Sequence, residues 1–180
     1  MEAITITTVD RSKTKLHINT RLIALSAMFA AMTFALTMFV HIPTAKGYIH
    51  IGDAVIFIAA SLLPKPYAMA SAAIGASLSD ALSGYWIWMP ATFVIKALTA
   101  LAFTSKKKKM LCAHNFTALV PALVLCVGGY ALYSGLVIYG SLPAGFVDAP
   151  ANAFQTAASA AVYISLGATM DKSGIKKKIH

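Results

Sequence analysis

Three ionisable side chains, Asp53, Asp80 and Lys96, fall inside stretches that are otherwise almost wholly apolar. On insertion scales a charge at the centre of a membrane helix costs about 2.5–3.5 kcal/mol, so each is a candidate for function. Around them stand groups that hydrogen-bond or stack: His41, Tyr48 and His50; Tyr85, Trp86 and Trp88; Tyr130 and Tyr133; Asn152 and Gln155. The chemistry this set offers is recognition. Ser77, Ser79 and Asp80 lie close in sequence, but no histidine sits at a spacing that would complete a nucleophile and its base. No G-x-x-x-x-G-K-[ST] phosphate loop occurs, so the chain has no ATP site of its own. His41 and His50 are too weakly patterned for a metal. Cys112 and Cys126 would lie roughly 21 Å apart on one helix, beyond disulfide reach. No cofactor is expected.

The elements that hold these groups are set by composition. Of the 180 residues, 58% are hydrophobic and 12% charged, and the mean hydropathy is +0.72. That is too little polar surface to coat a soluble domain of this length. Apolar stretches at 22–40, 49–63, 67–82, 89–103, 111–138 and 151–170 predict an all-α integral membrane protein of six helices. The second stretch is short and needs a thinned bilayer or a protein-lined end. The fifth is long, and Pro121 or the pair Gly128 and Gly129 should kink or end it. The whole chain, 1–180, reads as one transmembrane domain.

Orientation follows from the basic residues. Arg11, Lys13, Lys15 and Arg21, then Lys65, then Lys106 to Lys109, then Lys172 and Lys176 to Lys178 alternate with the stretches so that thirteen of fifteen share one side. The opposite loops hold only Lys46. The positive-inside rule makes the loaded side cytoplasmic, with both termini: 1–20 as an N-terminal segment and 171–180 as a basic tail. Anchoring at the interface accounts for the net charge of +9 without nucleic acid.

With this topology the costly polar groups share one level near the outer face. Asp53 opens the second helix, Asp80 closes the third, and Lys96 lies roughly 9 Å into the fourth. A through-pore needs polar lining along its length, whereas a pocket open outward needs it at one end only. The pattern suits capture of a small, partly aromatic solute. Blander roles remain open for single residues. Trp86 would serve in an interfacial aromatic belt, Asp53 or Asn152 as helix caps, and Asp80 with Lys96 as an ion pair, structural or ligand-orienting. On the first helix Ala27, Ala31 and Ala35 recur every fourth residue, a stripe that permits close helix approach.

These features resemble the S component, the substrate-capture subunit, of energy-coupling factor (ECF) vitamin importers. The resemblance spans nearly the whole chain in size, span number, terminus placement and the Ala27, Ala31, Ala35 stripe. The run Tyr48, Ile49, His50, Ile51, Gly52, Asp53 is more specific. So are Ser79 with Asp80, and the run from Gly84 through Tyr85, Trp86, Ile87, Trp88 and Met89 to Pro90, followed by Ile95 and Lys96. These resemble the branch associated with pyridoxine-type vitamins and the hydroxymethylpyrimidine precursor of thiamin. The acidic and histidine ligands of thiamin-binding members are not matched, which points away from thiamin itself. The resemblance implies a multi-pass protein of a prokaryotic plasma membrane, partnered by a T component that docks on the alanine stripe and by two ATPase subunits. It implies capture outside and release inside by toppling of the whole subunit. The expected substrate-binding residues are His50, Asp53, Asp80, Tyr85, Trp88, Lys96, Tyr130, Asn152 and Gln155. The alternative is a stand-alone secondary transporter of a small heteroaromatic solute.

Overall fold

The computed structural model describes residues 19–43 and 48–176. The basic residues of 1–18, Lys46, and Lys177 and Lys178 lie outside the described residues. The described residues are helical with one small two-stranded sheet. Helix α1 (Thr20–Phe39) begins at Asn19, whose side chain accepts the Arg21 and Leu22 amides and satisfies two otherwise orphaned donors. Strands β1 (His41–Pro43) and β2 (Tyr48–His50) pair antiparallel, with His41 opposite His50. The all-α expectation did not include this hairpin. Strand β2 packs against α8 (Ala149–Ser173) and β1 against α1 at one end of the bundle.

Helix α2 (Gly52–Leu62) has eleven residues, all buried. At 1.5 Å per residue it covers about 16 Å, half of a bilayer core. It therefore sits as a central post packed by α1, by α3 (Lys65–Leu82), by α4 (Met89–Ala102) and by α8 (Ala149–Ser173). Of the two ways to accommodate a short second stretch, enclosure by protein is the one seen. The neighbouring prolines set the α2–α3 turn. Pro64 forces Leu63 into extended backbone (ψ 152°), and Pro66 starts α3 where a missing amide is harmless. Gly84, at φ +83°, closes the α3–α4 turn in a conformation that side chains disfavour. A 3-10 turn, Trp86–Trp88, then leads into α4.

The fifth stretch is interrupted, as expected, by Pro121 and not by the glycine pair. It contains α5 (Ala113–Thr117), α6 (Leu119–Tyr133) and a π turn, Ser134–Ile138. The break falls at Ala118, because Pro121 has no amide to offer the Thr117 carbonyl. Helix α6 runs on through Gly128 and Gly129. The short α7 (Leu142–Gly145) and a 3-10 turn, Phe146–Asp148, precede α8.

At the basic end the core is aromatic, and Asn115 and Asp171 pair several of its polar atoms. Phe57 stacks on Phe103 at 5.1 Å, and Tyr163 meets both edge-on. The Asn115 amide donates to Ser61 and to the Thr104 and Met110 carbonyls, while Asp171 accepts the Met110 and Leu111 amides. The outer surface, by contrast, is apolar. Val120, Val124, Leu132, Leu136 and Phe154 are exposed. The segments Thr20–Phe39 and Ala113–Ile138 are long and apolar enough to cross a membrane; α2 and α4 are shorter apolar helices. An apolar exterior of this extent is the surface a bilayer solvates.

Candidate functional site

At the end opposite the lysines, the hairpin and the ends of α3, α4, α6 and α8 enclose a cavity of about 490 Å³, its open mouth included. Strand β2 supplies Tyr48, Ile49 and His50; α3 supplies Asp80; Trp88 and Thr92 come from the start of α4; Tyr130 comes from α6. Asp148, Ala151, Asn152 and Gln155 close the far side.

One wall is a carboxylate with a phenol. The Tyr48 hydroxyl donates to Asp80 Oδ1 at 2.5 Å and lies 3.5 Å from the Ser79 hydroxyl. Burial raises the Tyr48 phenol pKa above its ordinary value and the neighbouring Asp80 carboxylate adds to that, so Tyr48 remains a donor. Asp80 Oδ2 is buried and has no hydrogen-bond partner among the described residues. The facing wall is aromatic. Trp88 meets Tyr130 edge-on at 5.9 Å and Tyr133 at 5.8 Å, and the Tyr133 hydroxyl donates to the Ile87 carbonyl. The Tyr130 hydroxyl shares a hydrogen bond of 2.9 Å with Thr92.

Beneath the cavity lies a closed charge network. Lys96 Nζ stands 2.7 Å from Asp53 Oδ1 and 2.9 Å from Oδ2, with side chains only 1% and 2% exposed. Gln155 Nε2 donates to the same Oδ2 at 2.9 Å, and Gln155 Oε1 accepts the His50 amide at 3.2 Å. Lys96 also lies 5.4 Å from the Tyr130 ring centroid, within cation–π range. Gln155 thus touches both levels. It lines the cavity and ties β2 to the buried pair. Gly52 makes this depth attainable, since a Cβ there would collide with the Thr37 hydroxyl of α1.

Several sequence expectations are corrected. Lys96 pairs with Asp53, not Asp80. Helix α2 starts beneath the hairpin, deeper than its sequence position suggests, and so faces Lys96, while Tyr48 folds in to occupy Asp80. Asp53 does not cap α2: the N-cap position is Ile51, without a side-chain bond. Asn152 does not cap α8 either, since Asp148 holds that position. Asn152 sits within the first turn, its carbonyl accepting the Thr156 hydroxyl. Tyr85 meets Tyr48 at a tilt, 4.9 Å between ring centroids, and is absent from the cavity wall.

The structure brings His50, Asp80, Trp88, Tyr130, Asn152 and Gln155 to the cavity, and Asp53 with Lys96 to its floor. Tyr48, Ile49, Thr92, Asp148 and Ala151 are wall residues beyond those expected. Thr92 carried a readable signal, since it precedes Lys96 by one helical turn on the same face. Asp148 did too, as a rare acid in the loop before α8. Ile49 and Ala151 are apolar residues with no such signal.

A second surface lies along α1. Ala27 and Ala31 are exposed and Ala35 half-buried. Ala27 and Ala31 border an open apolar groove against α3, walled by Ala27, Ala30, Ala31 and Phe34 on one side and Ala70 and Ile74 on the other, and Ala35 is not part of its wall.

Residues 17–172 match the family of the ECF-type riboflavin transporter S component. No curated protein matches the chain. The match covers nearly all of the sequence, and the chain belongs to this family. It is therefore a membrane-embedded, substrate-binding subunit of an ECF transporter and not an enzyme, and such subunits work with a T component and ATPases.

Proposed function

We propose that this S component captures a single-ring heteroaromatic vitamin or precursor, of the pyridoxine or hydroxymethylpyrimidine kind, in the cavity bounded by Asp80 and Trp88. The observation that carries this reading is Asp80 Oδ2, a buried acceptor without a hydrogen-bond partner among the described residues, on the wall of an aromatic cavity. Such an acceptor calls for a donor from the ligand, and a ring hydroxymethyl, hydroxyl or amino group supplies one. Trp88 and Tyr130, on one wall, would pack against the ring. Asn152, Gln155 and His50 would orient its substituents. The family takes its name from riboflavin, a three-ring solute with a polyol chain. Much of the cavity's volume of about 490 Å³ is open mouth and the space enclosed is small, which favours the smaller ligand.

Capture takes place at the outer face and the basic end is cytoplasmic in this reading. The T component packs on the alanine stripe of α1 at the groove bordered by Ala27 and Ala31, and two ATPases drive release inward as the subunit topples. The apolar exterior suits that rotation, because no polar belt has to cross hydrocarbon. Separate energising subunits leave no need for the chain to act as a stand-alone secondary transporter. Calorimetry of the detergent-purified protein against pyridoxine, hydroxymethylpyrimidine and riboflavin tests the ligand class. Binding of one of the first two in preference to riboflavin is expected. Selective riboflavin binding overturns the single-ring assignment.

A further inference from the structure

The basic end holds an open hollow of about 1370 Å³ between the α2–α3 turn, the α4–α5 loop and the segment after α8. Its charged lining is Lys65, Lys106, Lys107, Lys108 and Lys176, with Thr104 and Ser105 beside them and Pro64 and Pro66 as apolar walls. Lys176 is only 5% exposed, yet its Nζ has no hydrogen-bond partner among the described residues. The nearest available acid, Asp171, spends both oxygens on the Met110 and Leu111 amides. Asp53, Asp80 and Asp148 belong to the other end. Among the described residues none of the five lysines is in an ion pair.

We propose that this hollow binds the phosphate of an anionic phospholipid headgroup. A buried ammonium without a counter-ion is costly, and burial lowers the proton affinity of Lys176. A phosphate supplies both the missing charge and the missing acceptors. The place fits as well. Lysines at the ends of apolar helices stand at headgroup depth, and basic pockets between helices there receive acidic headgroups.

The test uses the full chain in nanodiscs of phosphatidylcholine, with and without phosphatidylglycerol, read by native mass spectrometry and thermal melting. The wild type should retain phosphatidylglycerol selectively and melt higher in its presence. Lys176→Met, and separately the exposed pair Lys107→Gln with Lys108→Gln, should each lower that selectivity, roughly fivefold per lysine removed. In pure phosphatidylcholine Lys176→Met should melt no lower than wild type, which a purely structural lysine would not allow. Equal retention of both lipids by the wild type, or selectivity unaltered in both variants, overturns the proposal. A third arm adds inorganic phosphate to phosphatidylcholine discs. If phosphate alone reproduces the Lys176-dependent rise in melting temperature, the site serves a soluble anion and the lipid assignment falls.

Discussion

Replacing Lys96 by methionine should destabilise the protein far more than replacing Lys96 and Asp53 together. The two side chains meet at 2.7 and 2.9 Å and are 1% and 2% exposed, so neither charge has water to fall back on. Removing one partner from such a pair typically costs about 3–5 kcal/mol, because the other is left as an uncompensated charge in the interior. With about 2–4 °C per kcal/mol for a chain of this size, Lys96→Met should melt roughly 6–20 °C below wild type. Asp53→Asn alone should behave alike, leaving the ammonium stranded. The double variant Asp53→Asn with Lys96→Met removes both charges, keeps an oxygen for Gln155 and should recover most of the loss. Melting the four proteins without ligand, in one detergent, gives the double-mutant cycle. If the double variant is as unstable as the sum of the singles, the pair does not carry the coupling its geometry implies. The reasoning about the floor of the site then fails.

Asp80→Asn should leave a folded protein that binds its ligand about ten- to a hundredfold more weakly, the worth of one charge-assisted hydrogen bond; calorimetry with a parallel melt checks it. Ala27→Trp or Ala31→Trp should abolish co-purification with the T component while ligand affinity stays unchanged, since both side chains face the open groove far from the cavity. Burial holds His50, on the hairpin, down to about 4 from an ordinary 6.5. Below 6.5 the unfolded chain takes up a proton that the native state refuses, so stability should fall as pH drops from 6.5 toward 4. That loss should amount to at most about 3 kcal/mol and should be absent in His50→Gln, as melting temperature against pH would show.

Much of the arrangement was readable from depth alone. Once the lysines fixed which ends of the helices lie together, Asp80, Tyr130, Asn152 and Gln155 fell at one level, and they share a cavity. The helices came from unbroken apolar runs, the strongest local signal available. Partner choice was not readable. Asp80 lies nearer Lys96 in sequence, and the α3–α4 turn invited that pairing, whereas the observed partner comes from a helix whose start is sunk beneath a hairpin. A sinking of that kind depends on close packing at Gly52 and on Tyr48 claiming Asp80, both long-range facts with no periodic trace. The break at Ala118 follows from Pro121 three residues on, because proline disturbs the hydrogen bond to the preceding turn rather than its own position.

Reconstituted uptake tests the central claim most directly. The purified chain alone in liposomes, under an imposed proton or sodium gradient, should bind labelled vitamin at the cavity but accumulate none. Accumulation should appear only when the T component and ATPases are co-reconstituted and ATP is supplied on the side of the basic end. Gradient-driven accumulation by the chain alone would contradict the account, because a capture subunit without its own energy source cannot concentrate its ligand.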